Sequence, residues 1–182
     1  MIFTEGDLNG AYVIDLEKHA DDRGFFARVF CQEEFAEHDL PRDMVQMNLS
    51  YSPEKGTLRG LHYQVPPHEE AKYIRCTRGA VYDVSVDVRP DSPTFGEWMG
   101  VELTQDNYRM VYVPEGCAHG YLTLTADSEV NYQVSSFYTP GVERGIRYDD
   151  PAIGVEWPGE IRVISEKDRS WPAFERSRGV SV

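Results

Sequence analysis

The middle third of the chain alternates apolar and polar side chains with a period of two residues. Between residues 80 and 89 the apolar members are Tyr82, Val84, Val86 and Val88, and the polar members between them are Asp83, Ser85 and Asp87. Because successive side chains of a β-strand point to opposite faces, this pattern predicts a strand. The same reasoning predicts further strands at Tyr12–Leu16, Phe25–Phe30, Lys72–Thr77, Arg109–Val113, Gly120–Leu124, Ser128–Tyr138 and Val142–Tyr148.

Turn-forming residues separate these segments, as in Arg78-Gly79 and Pro114-Glu115-Gly116. Gly and Pro end strands because they favour turn geometry and disrupt the ladder of hydrogen bonds. Gln32–His38 is the one convincing helix in the sequence. We therefore expect an all-β fold, a jelly roll or barrel of short antiparallel strands with a few short peripheral helices. A length of 182 residues suits a single domain over residues 1–182.

The charge of the chain limits its possible partners, and its cysteine content indicates its redox compartment. The chain has 31 acidic and 18 basic residues and a net charge of −13, so its field repels nucleic acids and anionic membranes. An anionic ligand must therefore meet local positive charge. Three cysteines without a Cys-x-x-Cys pair predict reduced thiols. We expect a soluble, cytoplasmic protein, because we find neither a signal sequence nor a run of about 20 apolar residues.

The segment Gln46–Gln64 concentrates side chains of the kinds that bind ligands. Gln46 and Asn48 supply amides, Arg59 supplies a guanidinium, and His62 supplies an imidazole. Arg forms paired hydrogen bonds with phosphate or carboxylate, and His carries protons near neutral pH. The segment therefore predicts proton transfer on a phosphorylated molecule.

A second histidine stands in a similar setting. His119 follows a Pro-x-Gly turn and His62 follows an Arg-Gly pair, so both can meet at the mouth of one barrel. Each can instead be a hydrogen-bonded histidine of the core or rim. A metal site with Glu69 or Glu70 is a further alternative. We expect no metal, because Gln64 stands where a His-x-His pair would have its second His.

Two more cationic side chains lie outside this segment. Arg23 precedes Phe25 and Phe26, where the ordinary interpretation is a glycine turn that leads aromatic side chains into the core. Arg23 can instead swing over a phosphate and form a local basic clamp with Arg59 and Lys72. Taken alone, Lys72 is an ordinary solvated lysine, and a role in charge stabilisation requires that it point inward.

Three residues in the C-terminal half of the chain complete the set of candidate site residues. Tyr132 and Tyr138 suit strand packing, but a phenol opposite an imidazole can return a proton to the other face of a carbon centre. Asp168 belongs by default to a charged surface turn. It can also orient His62, as carboxylates do for catalytic imidazoles.

Together these residues resemble the dTDP-4-dehydrorhamnose 3,5-epimerase family, a group of cupin jelly rolls in deoxysugar nucleotide pathways. The resemblance extends from about Asp21 to Asp168. It rests on several motifs in the family's order: Asp21-x-Arg23-Gly-x-Phe26, Gln46-x-Asn48-x-Ser50-x-Ser52, Gly56-Thr-Leu-Arg-Gly-Leu-His62-Tyr-Gln64, Lys72, Asp83, Asp87-Val-Arg89, Ser92-Pro-Thr-Phe95, Pro114-x-Gly116-x-Ala-His119-Gly120, Tyr132, Tyr138, Trp157-Pro158 and Ser165-x-Lys-Asp168.

The resemblance implies epimerisation at C3 and C5 of a nucleotide-linked 4-keto-6-deoxyhexose, without metal or redox cofactor. His62 is then the general base, with Asp168 orienting it, and Tyr132 is the acid on the opposite face of the sugar. Lys72 stabilises negative charge on the C4 oxygen of the sugar. This chemistry agrees with the residues themselves, because a C4 ketone acidifies the neighbouring C–H bonds and a cation stabilises the enolate.

The resemblance also implies a set of substrate contacts and an assembly. The side chains expected to contact the nucleotide sugar or its diphosphate are Arg23, Phe26, Gln46, Asn48, Arg59, His119 and Tyr138. Family members form homodimers by exchange of N-terminal strands. We therefore expect Arg23 and Phe26 to serve the site of the partner.

One position departs from the family pattern. Two residues after Phe26 the family has a Glu near the nucleotide base, whereas this chain has Arg28. A hydrogen-bond acceptor is replaced by a donor, which leaves the base open between dTDP and another nucleotide. Two further alternatives are an enzyme that inverts C3 alone and a cupin that binds a sugar nucleotide without turnover.

Overall fold

The computed structural model describes residues 1–175, and almost all of its regular structure is short β-strands. In chain order the strands are β1 (Ile2–Glu5), β2 (Tyr12–Asp15), β3 (His19–Asp21), β4 (Gly24–Phe26), β5 (Gln46–Ser52), β6 (Thr57–Gln64), β7 (Lys72–Arg78), β8 (Ala80–Asp87), β9 (Trp98–Thr104), β10 (Met110–Val113), β11 (Cys117–Thr123), β12 (Ser128–Val134), β13 (Glu143–Gly145) and β14 (Val163–Ile164). The helices are α1 (Gln32–Ala36) and α2 (Glu166–Arg169). The predicted all-β class is confirmed.

Two large sheets form a cupin jelly roll. The first sheet has the strand order β1-β2-β10-β7-β12-β5, and the second has the order β13-β6-β11-β8-β9. Neighbouring strands within these orders are antiparallel, whereas β14 pairs with β6 in parallel. The β3–β4 pair forms a separate two-stranded sheet.

The main core lies between the two sheets. Ile74 and Val111 of the first sheet pack with Val81 and Leu103 of the second, and all four are buried. Burial of this apolar surface stabilises the contact between the sheets by about 25 cal/mol for each Å² removed from water.

Both faces of β8 are covered, which its alternating sequence did not reveal. Val84 and Val86 pack on the outer side of the second sheet with Ile146 and Ile153 from the C-terminal third. The polar members of the strand therefore lie on the interior side together with Val81, and they are buried as well. The polar face of this strand thus points into the molecule rather than into solvent.

Several predicted boundaries were wrong by a few residues. The strand predicted at Phe25–Phe30 ends at Phe26, after which Phe30 turns inward to contact the Phe35 ring on α1. The strand predicted to reach Tyr138 ends at Val134, since its neighbour β5 begins at the residue paired with Val134. The predicted helix from Gln32 ends at Ala36 rather than His38, and the strand predicted at Val142–Tyr148 is limited to β13.

Two further observations concern the described residues as a whole. Cys31, Cys76 and Cys117 are free thiols. Within residues 1–175, no helix has both the length and the apolar character needed to cross a membrane.

Candidate active site

A cavity of about 810 Å³ lies between the two large sheets. Its walls come from β5, β7 and β12 of the first sheet and from β6 and β11 of the second, with β14 and α2 along one side. Nine of the twelve predicted site residues line it: Gln46, Asn48, Arg59, His62, Lys72, His119, Tyr132, Tyr138 and Asp168.

The alternation of β5 divides its side chains between the cavity and the surface. Gln46 and Asn48 line the cavity, whereas Met47 and Leu49 point the other way and are exposed. Arg59 on β6 is held against this strand. Its Nε donates to Ser52 Oγ at 3.2 Å, and its Nη2 donates to the Tyr51 carbonyl oxygen at 3.1 Å.

His62 and Asp168 form a close pair although they are 106 residues apart in the chain. His62 Nε2 lies 2.5 Å from Asp168 Oδ1. The other carboxylate oxygen of Asp168 accepts from the Gly60 backbone N–H at 3.4 Å. Burial raises the pKa of Asp168, but the hydrogen bond and charge of His62 outweigh burial and leave this pKa below its usual value.

The position of Asp168 follows from local structure at the end of the chain. Strand β14 pairs with β6 and places Ile164 opposite Leu58. Ser165 then caps α2, and its Oγ accepts the Asp168 backbone N–H at 3.0 Å. The short helix thus begins beside β6 and directs Asp168 toward His62.

A second carboxylate lies on the other side of the His62 ring. Glu143 Oε1 is 3.7 Å from His62 Nδ1, and Glu143 also forms an ion pair with Lys167. The ring of Trp171 contacts His62 edge-on at 5.9 Å between centroids. The imidazole is therefore enclosed by one tightly bound carboxylate, one looser carboxylate and an indole.

His119 has a carboxylate partner of its own. Its Nε2 lies 2.8 Å from Asp83 Oδ2, and both side chains are buried. In the β6–β11 ladder His119 is directly opposite His62. The predicted convergence of the two histidines is therefore present. Within residues 1–175, no group of three or more His, Cys, Asp or Glu side chains is arranged to hold a metal ion.

Lys72 and Tyr132 approach the cavity from the first sheet. Lys72 is buried, and its Nζ donates to Glu70 Oε1 at 2.6 Å. Tyr132 lies opposite Asn48 in the β5–β12 ladder. Burial raises the pKa of the Tyr132 phenol, and the negative charge of Glu70 raises it further. Tyr132 is therefore a proton-bearing phenol at neutral pH.

The remaining three predicted residues do not reach the cavity of their own chain. They belong to a protruding arm, residues 19–28, which comprises β3, β4 and the two residues that follow. Arg23 is 89% exposed in its side chain and pairs with Asp21, and Phe26 is 68% exposed. Arg28 Nη1 lies 3.4 Å from Glu34 Oε1. Their predicted contacts with a substrate stay predictions.

Glu70, Glu143 and Lys167 line the cavity but were not predicted as parts of a proton-transfer site. Glu70 was considered as a metal ligand alone, and its actual neighbour is the ammonium of Lys72. Lys167 is the neighbour of Asp168 in the Ser165-x-Lys-Asp168 motif, so the motif could have indicated that Lys167 lies near the site. Glu143 gave no signal, because its contact with His62 depends on the pairing of β13 with β6.

The fold and the cavity define a cupin equipped for acid–base chemistry on an anionic ligand. Residues 5–176 match the family model described as dTDP-4-dehydrorhamnose 3,5-epimerase. The chain belongs to this family, and the resemblance drawn from its sequence is confirmed.

Similar proteins cover nearly the whole chain. A dTDP-4-dehydrorhamnose 3,5-epimerase from Sinorhizobium fredii (strain NBRC 101917 / NGR234) is 44% identical over 96% of this chain and 90% of its own length. The crystal structure of the enzyme of the same name from Elizabethkingia anophelis NUHP1 matches with a TM-score of 0.94 and 35% identity over 98% of each chain.

Two further solved structures carry ligands. A dTDP-6-deoxy-D-glucose-3,5-epimerase from Legionella pneumophila Philadelphia 1, in complex with dTDP-4-keto-L-rhamnose, has a TM-score of 0.88 and 36% identity over 94% of this chain and 92% of that one. A 3'-monoepimerase from Streptomyces bikiniensis, in complex with dTDP-quinovose, has a TM-score of 0.84 and 36% identity over 92% of this chain and 85% of that one.

Proposed function

We propose that the protein epimerises C3 and C5 of a nucleotide-linked 4-keto-6-deoxyhexose and converts dTDP-4-dehydro-6-deoxy-D-glucose into dTDP-4-dehydro-L-rhamnose. One observation carries the proposal. His62 with Asp168 lies on the second sheet and its flank, whereas Tyr132 and Lys72 belong to the first sheet, and one cavity separates them. A sugar ring between the sheets therefore has a base on one face and an acid on the other.

The reaction follows from these positions. His62 removes the proton from C5 or C3, and the electrons of the broken C–H bond form a C=C bond to C4 while the carbonyl electrons move onto the C4 oxygen. The Lys72 ammonium donates a hydrogen bond to this oxygen and stabilises its charge. Tyr132 then protonates the carbon from the opposite face, the C4 carbonyl re-forms, and the configuration is inverted. Proton exchange with water restores both side chains.

The other cavity residues suit the anionic part of the substrate. Arg59 offers its guanidinium to the diphosphate, and His119, opposite His62 on the neighbouring strand β11, lines the same cavity. Gln46 and Asn48 supply amides along the same wall, and Tyr138 follows at the rim, where its backbone N–H donates to Gln46 Oε1 at 2.7 Å. These side chains allow the cavity to bind an anionic diphosphate although the chain as a whole has a net charge of −13.

Solvent isotope incorporation tests the proposal. The protein is incubated in D₂O with dTDP-4-dehydro-6-deoxy-D-glucose, and deuterium at C3 and C5 is measured by NMR and mass spectrometry. We expect exchange at both carbons and a loss of about 10²–10⁴-fold in the exchange rate for His62→Ala. Absence of exchange with every nucleotide sugar tried would contradict the proposal.

A C3-only epimerase is the second candidate, favoured by the similarity to the Streptomyces bikiniensis 3'-monoepimerase. The same acid and base serve either reaction, because the outcome depends on how the ring is held between them. Incorporation of one deuterium, at C3 alone, identifies this case. A cupin that binds without turnover predicts dTDP binding by calorimetry with no deuterium incorporation at either carbon.

The exposed apolar residues support a homodimer. Edge strand β5 presents Met47, Leu49 and Tyr51 on its outer face, with exposures of 65%, 61% and 46%. Such a row on an unpaired edge favours pairing with a second copy. We infer that the dimer brings Arg23 and Phe26 of each arm to the partner's cavity. Light scattering should give twice the chain mass, and Leu49→Lys should shift it toward the monomer.

The proposed reaction uses a soluble nucleotide sugar, and the three free thiols suit a reducing compartment. We therefore also propose a cytoplasmic location. Fractionation of cells that express the tagged protein tests this, and recovery in a membrane or secreted fraction would contradict it.

A further inference from the structure

Glu70 makes the shortest polar contact of Lys72. The two atoms, Lys72 Nζ and Glu70 Oε1, are 2.6 Å apart, and the side chains are only 9% and 13% exposed. Transfer of an ammonium from water into such a site costs several kcal/mol unless a counter-charge is present. Glu70 supplies that charge from within the cavity wall.

The carboxylate of Glu70 is itself held in place. Gln64 Nε2 donates to Glu70 Oε2 at 3.2 Å, so each carboxylate oxygen has its own donor. Gln64 is 2% exposed, and its side chain also contacts the backbone of the segment after β12. Its Nε2 also donates to the His68 carbonyl at 3.0 Å and lies 3.3 Å from the Phe137 carbonyl, and its Oε1 accepts from the Thr139 N–H at 2.8 Å.

These contacts form a connected support behind the ammonium. Because Gln64 is fixed by backbone groups, Glu70 cannot turn away from Lys72 without losing the hydrogen bond from Gln64. Within residues 1–175, Lys72 Nζ donates one hydrogen bond, and its acceptor is Glu70. An ammonium has three N–H donors, so two are left for a ligand in the cavity.

We propose that Glu70 is a positioning residue for the epimerisation: it holds the Lys72 ammonium at the point where the C4 oxygen of the sugar becomes negative. This inference rests on the proposed function, since it gives Lys72 an oxyanion to stabilise. A group that acts in this way contributes little to binding of the ground state and much to the transition state. Its removal should therefore lower kcat rather than raise KM.

The neighbouring Glu69 provides a matched control. Glu69 lines a separate cavity together with Arg144 and Pro66 and is not among the residues that line the active-site cavity. It has the same charge and lies next to Glu70 in the chain. Removal of Glu69 therefore changes the net charge equally while leaving the Lys72 ammonium supported.

The experiment compares Glu70→Ala, Glu69→Ala, Lys72→Ala and the Glu70→Ala/Lys72→Ala double variant. For Glu70→Ala we expect kcat to fall about 10–100-fold with KM within about 3-fold, because misplacing a catalytic group by ~1 Å costs on the order of 100-fold. Glu69→Ala should keep the wild-type kcat. In the Lys72→Ala background, loss of Glu70 should have little further effect, since the two residues act as one unit.

Binding of dTDP, measured by calorimetry, shows whether each variant retains a folded site, because dTDP lacks the C4 oxygen. We expect Glu70→Ala to bind dTDP as the wild type does. An unchanged kcat for Glu70→Ala, or an equal fall of kcat with and without Lys72, would overturn the inference while the wild-type exchange still supports the epimerase. Absence of exchange in the wild type would instead remove the proposed function itself.

Discussion

The cavity and the arm differ in the support that each gives to its candidate functional side chains. In the cavity, His62, His119 and Lys72 each have a carboxylate within 2.8 Å, and these carboxylates are buried or nearly so. In the arm, the hydrogen bonds of the Arg23 side chain within residues 1–175 go to the exposed Asp21 two residues away, and Phe26 is exposed.

The difference leads us to propose a division of the reaction between the two regions. Proton transfer requires groups held within a fraction of an ångström, and buried hydrogen bonds provide that precision. Within the arm, β3 pairs with β4, and Phe25 packs against Tyr108 of the main body at 5.1 Å between ring centroids. In the proposed dimer, the exposed residues of the arm would be surrounded by the partner. We therefore propose that the cavity performs the chemistry and that the arm captures the substrate.

Loss of the carboxylate in the His62 pair should have the largest effect. Asp168→Asn keeps the shape but removes the charge that orients the ring and stabilises its protonated form, so kcat should fall about 10²–10⁴-fold. The same change at the second pair, Asp83→Asn, should raise KM more than it lowers kcat, because His119 is assigned to binding. Steady-state kinetics of both variants checks this, and equal effects on kcat would remove the distinction.

In the arm, Arg23→Ala should act on affinity. Loss of a charge-assisted contact with the diphosphate costs about 1.5–3 kcal/mol, which corresponds to a KM increase of roughly 10–100-fold with kcat preserved. Arg147→Ala is the matched control, because Arg147 also forms an exposed ion pair with an Asp two residues away. A fall in kcat without a change in KM would place Arg23 in the chemistry instead.

Lowering the pH should reveal how much Asp168 contributes to the folding stability of the protein. Its pKa in the folded protein lies below the unfolded value of 3.8. The stability it contributes is therefore present above about pH 4 and is lost as the pH falls through the folded pKa. Asp168→Asn should have a Tm lower than wild type by about 3–6 °C at pH 7. Scanning calorimetry should show this gap narrowing below pH 4, and a constant gap would contradict the assignment.

The smallest expected effect concerns the nucleotide base. Arg28→Glu replaces a donor by an acceptor, and one hydrogen bond of about 1 kcal/mol should shift relative kcat/KM toward dTDP over UDP sugars by about 5-fold. Loss of the exposed contact with Glu34 should cost little stability. Competition assays with paired nucleotide sugars measure the shift. Unchanged preference would mean that Arg28 does not meet the base.

Local patterns predicted eight of the fourteen strands at least in part, but not β5 and β6, which carry Gln46, Asn48, Arg59 and His62. Residue types together with the family motifs singled out nine of the residues that line the cavity. The alternation in β9, with Met99, Val101 and Leu103 buried between more exposed neighbours, carried the same signal as β8 and was overlooked. The pairing of Lys72 with Glu70 was beyond such reasoning, because Glu70 lies on a loop before β7 and its direction relative to the strand depends on tertiary packing. In the dimer that we propose, the surroundings of the arm depend on a second copy and therefore lie outside any pattern within one chain.

The order in which the site is built has a consequence for synthesis on the ribosome. The strands of the two sheets that form the main walls of the cavity, β5, β6, β7, β11 and β12, are complete by Val134, whereas β14 and α2, which carries Asp168, are made later. A nascent chain can therefore close its barrel around His62 before the carboxylate that orients this histidine has left the ribosome. Proton transfer with an oriented His62 should therefore require synthesis to continue past Asp168, so that shorter nascent chains lack the complete base.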